Sequence, residues 1–135
     1  MKKFQNFVYW AARIVAAFIL LQTLFFKFTA SPESVYIFSK VGMEPWGRIL
    51  VGILELVAGI LLIIPLTAWL GAALALGLMA GAVGMHLTML GIEVMGDGGY
   101  LFFLALTVMI CSAYTLYINS EKILAFVSFI RPKLK

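Results

Sequence analysis

Arg13, Lys27, Arg48, Glu55, His86 and Asp97 are the residues of this chain whose types could do chemistry, and all six lie inside or at the ends of long apolar runs. A carboxylate such as Glu55 at membrane depth could carry a proton or hold a ligand. Paired with a cation, it could equally be a clamp between two helices. Lysine, arginine and histidine gathered in one layer would offer hydrogen-bond donors to an anion or a carbonyl. Other chemistries are excluded by what is missing. Cys111 is the only cysteine, so dithiol chemistry has no second thiol. One histidine without clustered cysteine or carboxylate ligands is a poor metal site, and no metal is expected. Nothing has the pattern of a Ser/His/Asp arrangement, a phosphate loop or a dinucleotide fingerprint.

The chain that must position these groups has 135 residues, 64% apolar and 12% charged, with a mean hydropathy of +1.08. A soluble domain is about half apolar and about a quarter charged, so the chain reads as a small integral membrane protein. Spans are expected at about 4–28, 46–64, 68–90 and 100–118. The basic start at Lys2 and Lys3 is not read as a cleaved signal, because the apolar run is too long and holds Arg13. A polar loop at 31–45 holds a short helix with Ser31 as N-cap and Pro32 at its first position. Pro65 and Thr67 mark a short turn that makes spans two and three antiparallel neighbours. Residues 91–99 form a glycine-rich loop, and 121–130 an apolar tail helix at the interface, ended by Pro132. The expected fold is therefore all-α: one domain, 1–135, an integral membrane four-helix bundle with a short C-terminal interfacial helix.

Charge sets the expected orientation and depth. Lys2, Lys3, Lys122, Arg131, Lys133 and Lys135 go with the termini, whereas the opposite side holds Lys27, Lys40 and Arg48 beside Glu33, Glu44, Glu93 and Asp97. Both termini are thus expected in the cytoplasm, with the basic ends touching anionic lipid and not nucleic acid. Arg13 lies ten residues, about 15 Å, from Lys3, and Glu55 lies ten residues, about 15 Å, from Pro65. An Arg13–Glu55 ion pair near the midplane follows, either a register clamp or a ligand- or proton-linked carboxylate. Above it, Lys27, Arg48, His86 and Asp97 are expected to line an outward-facing pocket with Glu55 at its floor, where Gly52 and Gly59 leave room. Its surplus donors would invite an anion, a quinone carbonyl, a lipid phosphate or water, unless Glu44, Glu93 and Asp97 absorb them all.

Two stripes complete the pattern. Ala73, Gly77, Gly81 and Gly84 form a small-residue face on span three, suited to close packing within the bundle or across a homodimer. Tyr100, Phe103, Thr107, Ile110, Tyr114 and Tyr117 form a seam on span four. Interface anchoring and core packing account for it, and a flat surface for a quinone-like ring is the alternative.

Taken in order, Arg13, Phe26-Lys27-Phe28, Gly42, Glu44-Pro45-Trp46-Gly47-Arg48, Gly52-Ile53-Leu54-Glu55-Leu56, Trp69-Leu70-Gly71-Ala72, His86-Leu87-Thr88 and Asp97-Gly98-Gly99 resemble the DoxX family of small four-helix membrane proteins, in its DoxX-like branch. The family's arginine, lysine, glutamate and histidine positions match Arg13, Lys27, Glu55 and His86. Some relatives resemble the small membrane subunit of a thiosulfate:quinone oxidoreductase, and others associate with thiol-stress enzymes. The resemblance implies a bacterial inner-membrane location and a redox enzyme partner; no cofactor is fixed by it, and a quinone is the one to consider. The chain has no extra soluble domain or additional cysteines, so a non-catalytic subunit or small-molecule-binding module ranks first. A catalytic sulfur-oxidising subunit ranks second. A proton-coupled transporter using Glu55 ranks third, because an arginine at the same depth would hold the carboxylate ionised.

Overall fold

From Lys2 to Phe28 the chain has no glycine or proline, and it forms one helix, α1 (Lys2–Phe28). In the computed structural model, which describes residues 2–131, a turn at Thr29 and Ala30 ends it. Ser31 then accepts a hydrogen bond from the Ser34 N–H, 3.3 Å away, and Pro32 opens the short helix α2 (Pro32–Lys40), as expected of that pair. Helix α3 (Trp46–Ile63) stops before Pro65, and a 3₁₀ turn, Pro65–Thr67, leads into α4 (Ala68–Met85). That helix continues as one wide π turn, His86–Leu90, before the loop of residues 91–99. Helix α5 (Tyr100–Ile118) follows, then α6 (Ser120–Ile130). No strand occurs among the described residues. Pro132, Lys133 and Lys135, used above for the tail and the orientation, lie outside them.

Four helices are long and apolar enough to cross a membrane. They pack as a ring, α1 against α3, α3 against α4, α4 against α5 and α5 against α1. The outside is the apolar side: Phe4, Phe7, Ile14, Phe18 and Phe25 on α1 are all exposed, while Arg13 is buried on the same helix. Such an arrangement is stable only where the surroundings are hydrocarbon. The chain is a multi-pass integral membrane protein, associated with a lipid bilayer. Its centre is built from small side chains, Ala16, Ala17, Ala58, Ala72, Ala75 and Ala105, closed by Leu20, Leu62 and Val108. Small residues let the helix backbones approach where lipid supplies no hydrophobic drive for association. Helix α6 buries none of its residues and touches the bundle through Phe126, whose ring lies 5.3 Å from that of Trp69. One end of the bundle carries the start of α1, the end of α5 and the 65–67 turn. The distal end carries α2 and the 91–99 loop.

The vertical offset of α1 against α3 decides which polar groups meet. A Cβ at Gly52 would lie 2.8 Å from the Phe28 ring, and one at Gly59 would lie 2.8 Å from Leu21. The room that these glycines were expected to leave beside the carboxylate is filled by α1. These two contacts are seven residues apart on both antiparallel helices, so they fix the register. Helix α1 has 27 residues against 18 in α3, and the surplus falls at the terminal end. Arg13 is consequently level with the end of α3, about 18 Å from the height of Glu55, whereas Lys27 is only about 3 Å above that height.

Candidate functional site

The expected Arg13–Glu55 ion pair does not form. Arg13, 1% exposed, donates from Nε to the Leu62 carbonyl at 2.8 Å and from Nη2 to the Ile63 carbonyl at 2.7 Å. Those are the last carbonyls of α3, the negative end of its dipole, and α3 has no basic residue of its own in its last turn. Thr67 closes the same end by donating to the Leu61 carbonyl at 3.1 Å. The guanidinium also lies 4.2 Å from the centre of the Trp10 ring. Arg13 is thus a C-cap supplied by a neighbouring helix.

Glu55 pairs instead with Lys27, Nζ to Oε2 at 3.0 Å, and accepts from the Thr23 hydroxyl at 3.3 Å. Lys27 and Thr23 are four residues apart and share one face of α1. Thr23 was missed in the sequence, although that spacing beside Lys27 was its signal. The pair lies in the wall of a cavity of about 420 Å³, lined by α1–α5 in the distal half of the bundle. His86 stands in the same wall, 5% exposed, with Nδ1 2.9 Å from the Gly91 carbonyl and its ring edge against Phe102. A carbonyl only accepts, so in the neutral ring Nδ1 carries the proton and Nε2 is the acceptor. The wide π turn begins at this residue.

Lys27, Glu55 and His86 are therefore brought together as expected, and Arg48 and Asp97 are not. Arg48 donates to Glu44 at 2.9 Å and to the Lys27 carbonyl, which ties the top of α3 to the end of α1 outside the cavity. Asp97 folds its own loop. Its Oδ1 accepts from the N–H groups of Val94 at 3.0 Å and Gly99 at 2.8 Å, and its Oδ2 from Leu101 at 3.3 Å. Partial burial pushes the Asp97 carboxyl up, but these three donors outweigh it and hold it below the usual carboxylate value.

The anticipated surplus of donors is absent from the cavity. One cation, Lys27, faces two carboxylates, Glu55 and the Glu33 of α2, with Ser34, Gln22, Tyr100 and mostly apolar groups around them. Such a lining disfavours an anion and suits a neutral, mainly apolar molecule with a polar head.

The small-residue stripe does not pack within the bundle. Ala73, Gly77, Gly81 and Gly84 are all exposed, and a Cβ at any of the three glycines would meet nothing within 4 Å. The α5 seam faces outward too: Tyr100, Phe103, Thr107, Ile110 and Tyr117 are exposed, and Tyr114 is partly so. Within that seam only Tyr100 reaches the cavity. No group of three or more histidine, cysteine or carboxylate ligands occurs among the described residues.

The model of the DoxX-like family fits residues 11–110, a stretch that holds Arg13, Lys27, Arg48, Glu55, His86 and Asp97. No curated protein and no solved structure matches the chain.

Proposed function

We propose that this chain, which belongs to the DoxX-like family, is a non-catalytic membrane subunit that binds a neutral quinone-type molecule for a redox partner acting on sulfur or thiol compounds. The observation that carries this reading is the cavity of about 420 Å³ with Lys27, Glu55, Thr23 and His86 in a mostly apolar wall. Its size falls in the range of about 300–1,000 Å³ usual for small-molecule sites. It is nearly three times the roughly 150 Å³ that holds a benzene ring. The donors and acceptors suit both states of such a head group. The Lys27 ammonium donates to a carbonyl, while the Glu55 carboxylate and the His86 Nε2 accept from a hydroxyl. A bound quinone would supply two-electron redox chemistry; the chain's part is to hold the head group and keep it dry. We place the protein in a bacterial inner membrane with both termini cytoplasmic, which puts the cavity in the half of the bilayer away from the cytoplasm.

Titration of a tail-less benzoquinone into the protein in lipid nanodiscs tests the reading. Binding should weaken at least tenfold in His86→Leu and in the Lys27→Met/Glu55→Gln double variant, with both still folded. Failure of the unaltered protein to bind, or tighter binding of thiosulfate than of the quinone, would overturn it.

A further inference from the structure

We infer that the cavity is loaded sideways from the lipid, through a gap between α3 and α4 at Gly77 and Gly81, and that its ligand carries an apolar chain which stays in that gap. This rests on the cavity being a ligand site. Helices α3 and α4 touch at the terminal end, where a Cβ at Gly71 would lie 2.6 Å from the Leu62 nitrogen and 2.8 Å from the Ala58 oxygen. Six and ten residues further along, Gly77 and Gly81 come level with residues 50–55 of α3. There a Cβ would meet nothing within 4 Å, so no side chain of α3 covers this face of α4. Both glycines line the cavity and both are exposed on the outer surface. At that point the rim of the cavity is glycine backbone, flanked by Leu78 and Ala82.

Three further observations agree on the kind of molecule that uses the opening. The gap is level with the Lys27–Glu55 pair, well inside a membrane span, so what lies against it is acyl chain and not water. The aqueous side is covered, because Ser34 and Phe38 of α2 are buried and turn into the cavity, and Glu33 adds negative charge there. Finally, about 420 Å³ accommodates a ring and its first substituents but not a long isoprenoid or alkyl tail, which must leave the bundle. Glycine weakens a helix interior relative to alanine. Two glycines at the opening therefore keep clear a path that any side chain would narrow. Gly77 and Gly81 are access and specificity positions, and the ligand class is a lipid-soluble, neutral, tailed quinone-type molecule.

The test compares a tail-less benzoquinone with a decyl-tailed one, bound to the full chain in nanodiscs and expressed per membrane mole fraction, in Gly77→Leu, Gly81→Leu and the double variant. Gly81→Ala, which adds one methyl to open space, is the folding control and should keep both affinities. The unaltered chain should prefer the tailed probe at least tenfold. The leucine variants should lose that preference at least tenfold while holding the tail-less probe within twofold. If the tailed probe is unaffected, or both probes are lost together, the gap is not the route, although binding to the unaltered chain would leave the site itself standing. If the unaltered chain binds neither probe, the site reading fails and the route falls with it. If the leucine variants convert a dimer to a monomer in light scattering, the stripe is an interface between copies and this inference is overturned.

Discussion

The structure assigns Glu55 a different partner from the one that depth counting suggested, and a pair of double-mutant cycles decides between them. The side chains of Lys27 and Glu55 are only 16% and 4% exposed, and they meet at 3.0 Å. Lys27→Met leaves a carboxylate in hydrocarbon without a counter-charge, at a cost of about 3–5 kcal/mol. Glu55→Gln costs less, about 1–3 kcal/mol, because glutamine keeps an acceptor and the lysine stem can carry its ammonium towards the interface. With both charges gone nothing is left uncompensated, so the double variant should fall within about 1 kcal/mol of the unaltered protein. The resulting coupling is at least about 3 kcal/mol, at or above the upper end for residues in contact. Arg13→Leu is also damaging, by about 2–4 kcal/mol, since it removes two charge-assisted bonds to the end of α3. Yet Arg13 is about 18 Å from Glu55 in height, and distant sites add to within about 0.5 kcal/mol. Unfolding in mixed mild-detergent and dodecyl sulfate micelles, followed by circular dichroism, measures all of these. Additive losses for Lys27 with Glu55, or strong coupling of Arg13 with Glu55, would refute the register derived from Gly52 and Gly59.

Two further expectations concern the distal loop and the orientation. Asp97→Asn should cost about 1–2 kcal/mol near neutral pH, as loss of a capping carboxylate does. Because the folded carboxyl titrates below its unfolded value of about 3.9, its stabilisation is complete above that value and is lost as the pH falls through the folded one. The melting temperatures of the two forms should therefore converge below about pH 4, and parallel curves down to pH 3 would contradict the cap. In a Cys111→Ala background, Ser39→Cys should react with an impermeant maleimide in intact cells, and Lys122→Cys only after lysis; the reverse pattern inverts the orientation.

The spans could be read from the sequence because hydropathy and helix punctuation are local quantities. Ser31-Pro32 opened α2 and Pro65 closed α3, each within a residue of expectation. The pairing of charges was not legible, because it depends on how far one helix is slid along another. Counting from Lys3 assumed that α1 begins where the membrane begins. In fact α1 begins well beyond the terminal end of α3. Two signals were nonetheless present. An apolar run such as Leu61-Leu62-Ile63-Ile64, stopped by proline and without a basic residue of its own, leaves carbonyls that need a donor from elsewhere, and Arg13 is the buried cation at that end. Threonine four residues before Lys27 marked the face on which a carboxylate would be held. The glycines show most clearly what spacing cannot decide. Gly71, outside the stripe, makes the close helix contact, while Gly77 and Gly81, at the spacing used for tight packing, face open space. The same small residues bring backbones together where two helices touch and leave an opening where no side chain covers them. What separates the two is the face each glycine occupies: Gly71 is turned to α3, whereas Gly77 and Gly81 are exposed at the rim of the cavity that holds the Lys27–Glu55 pair.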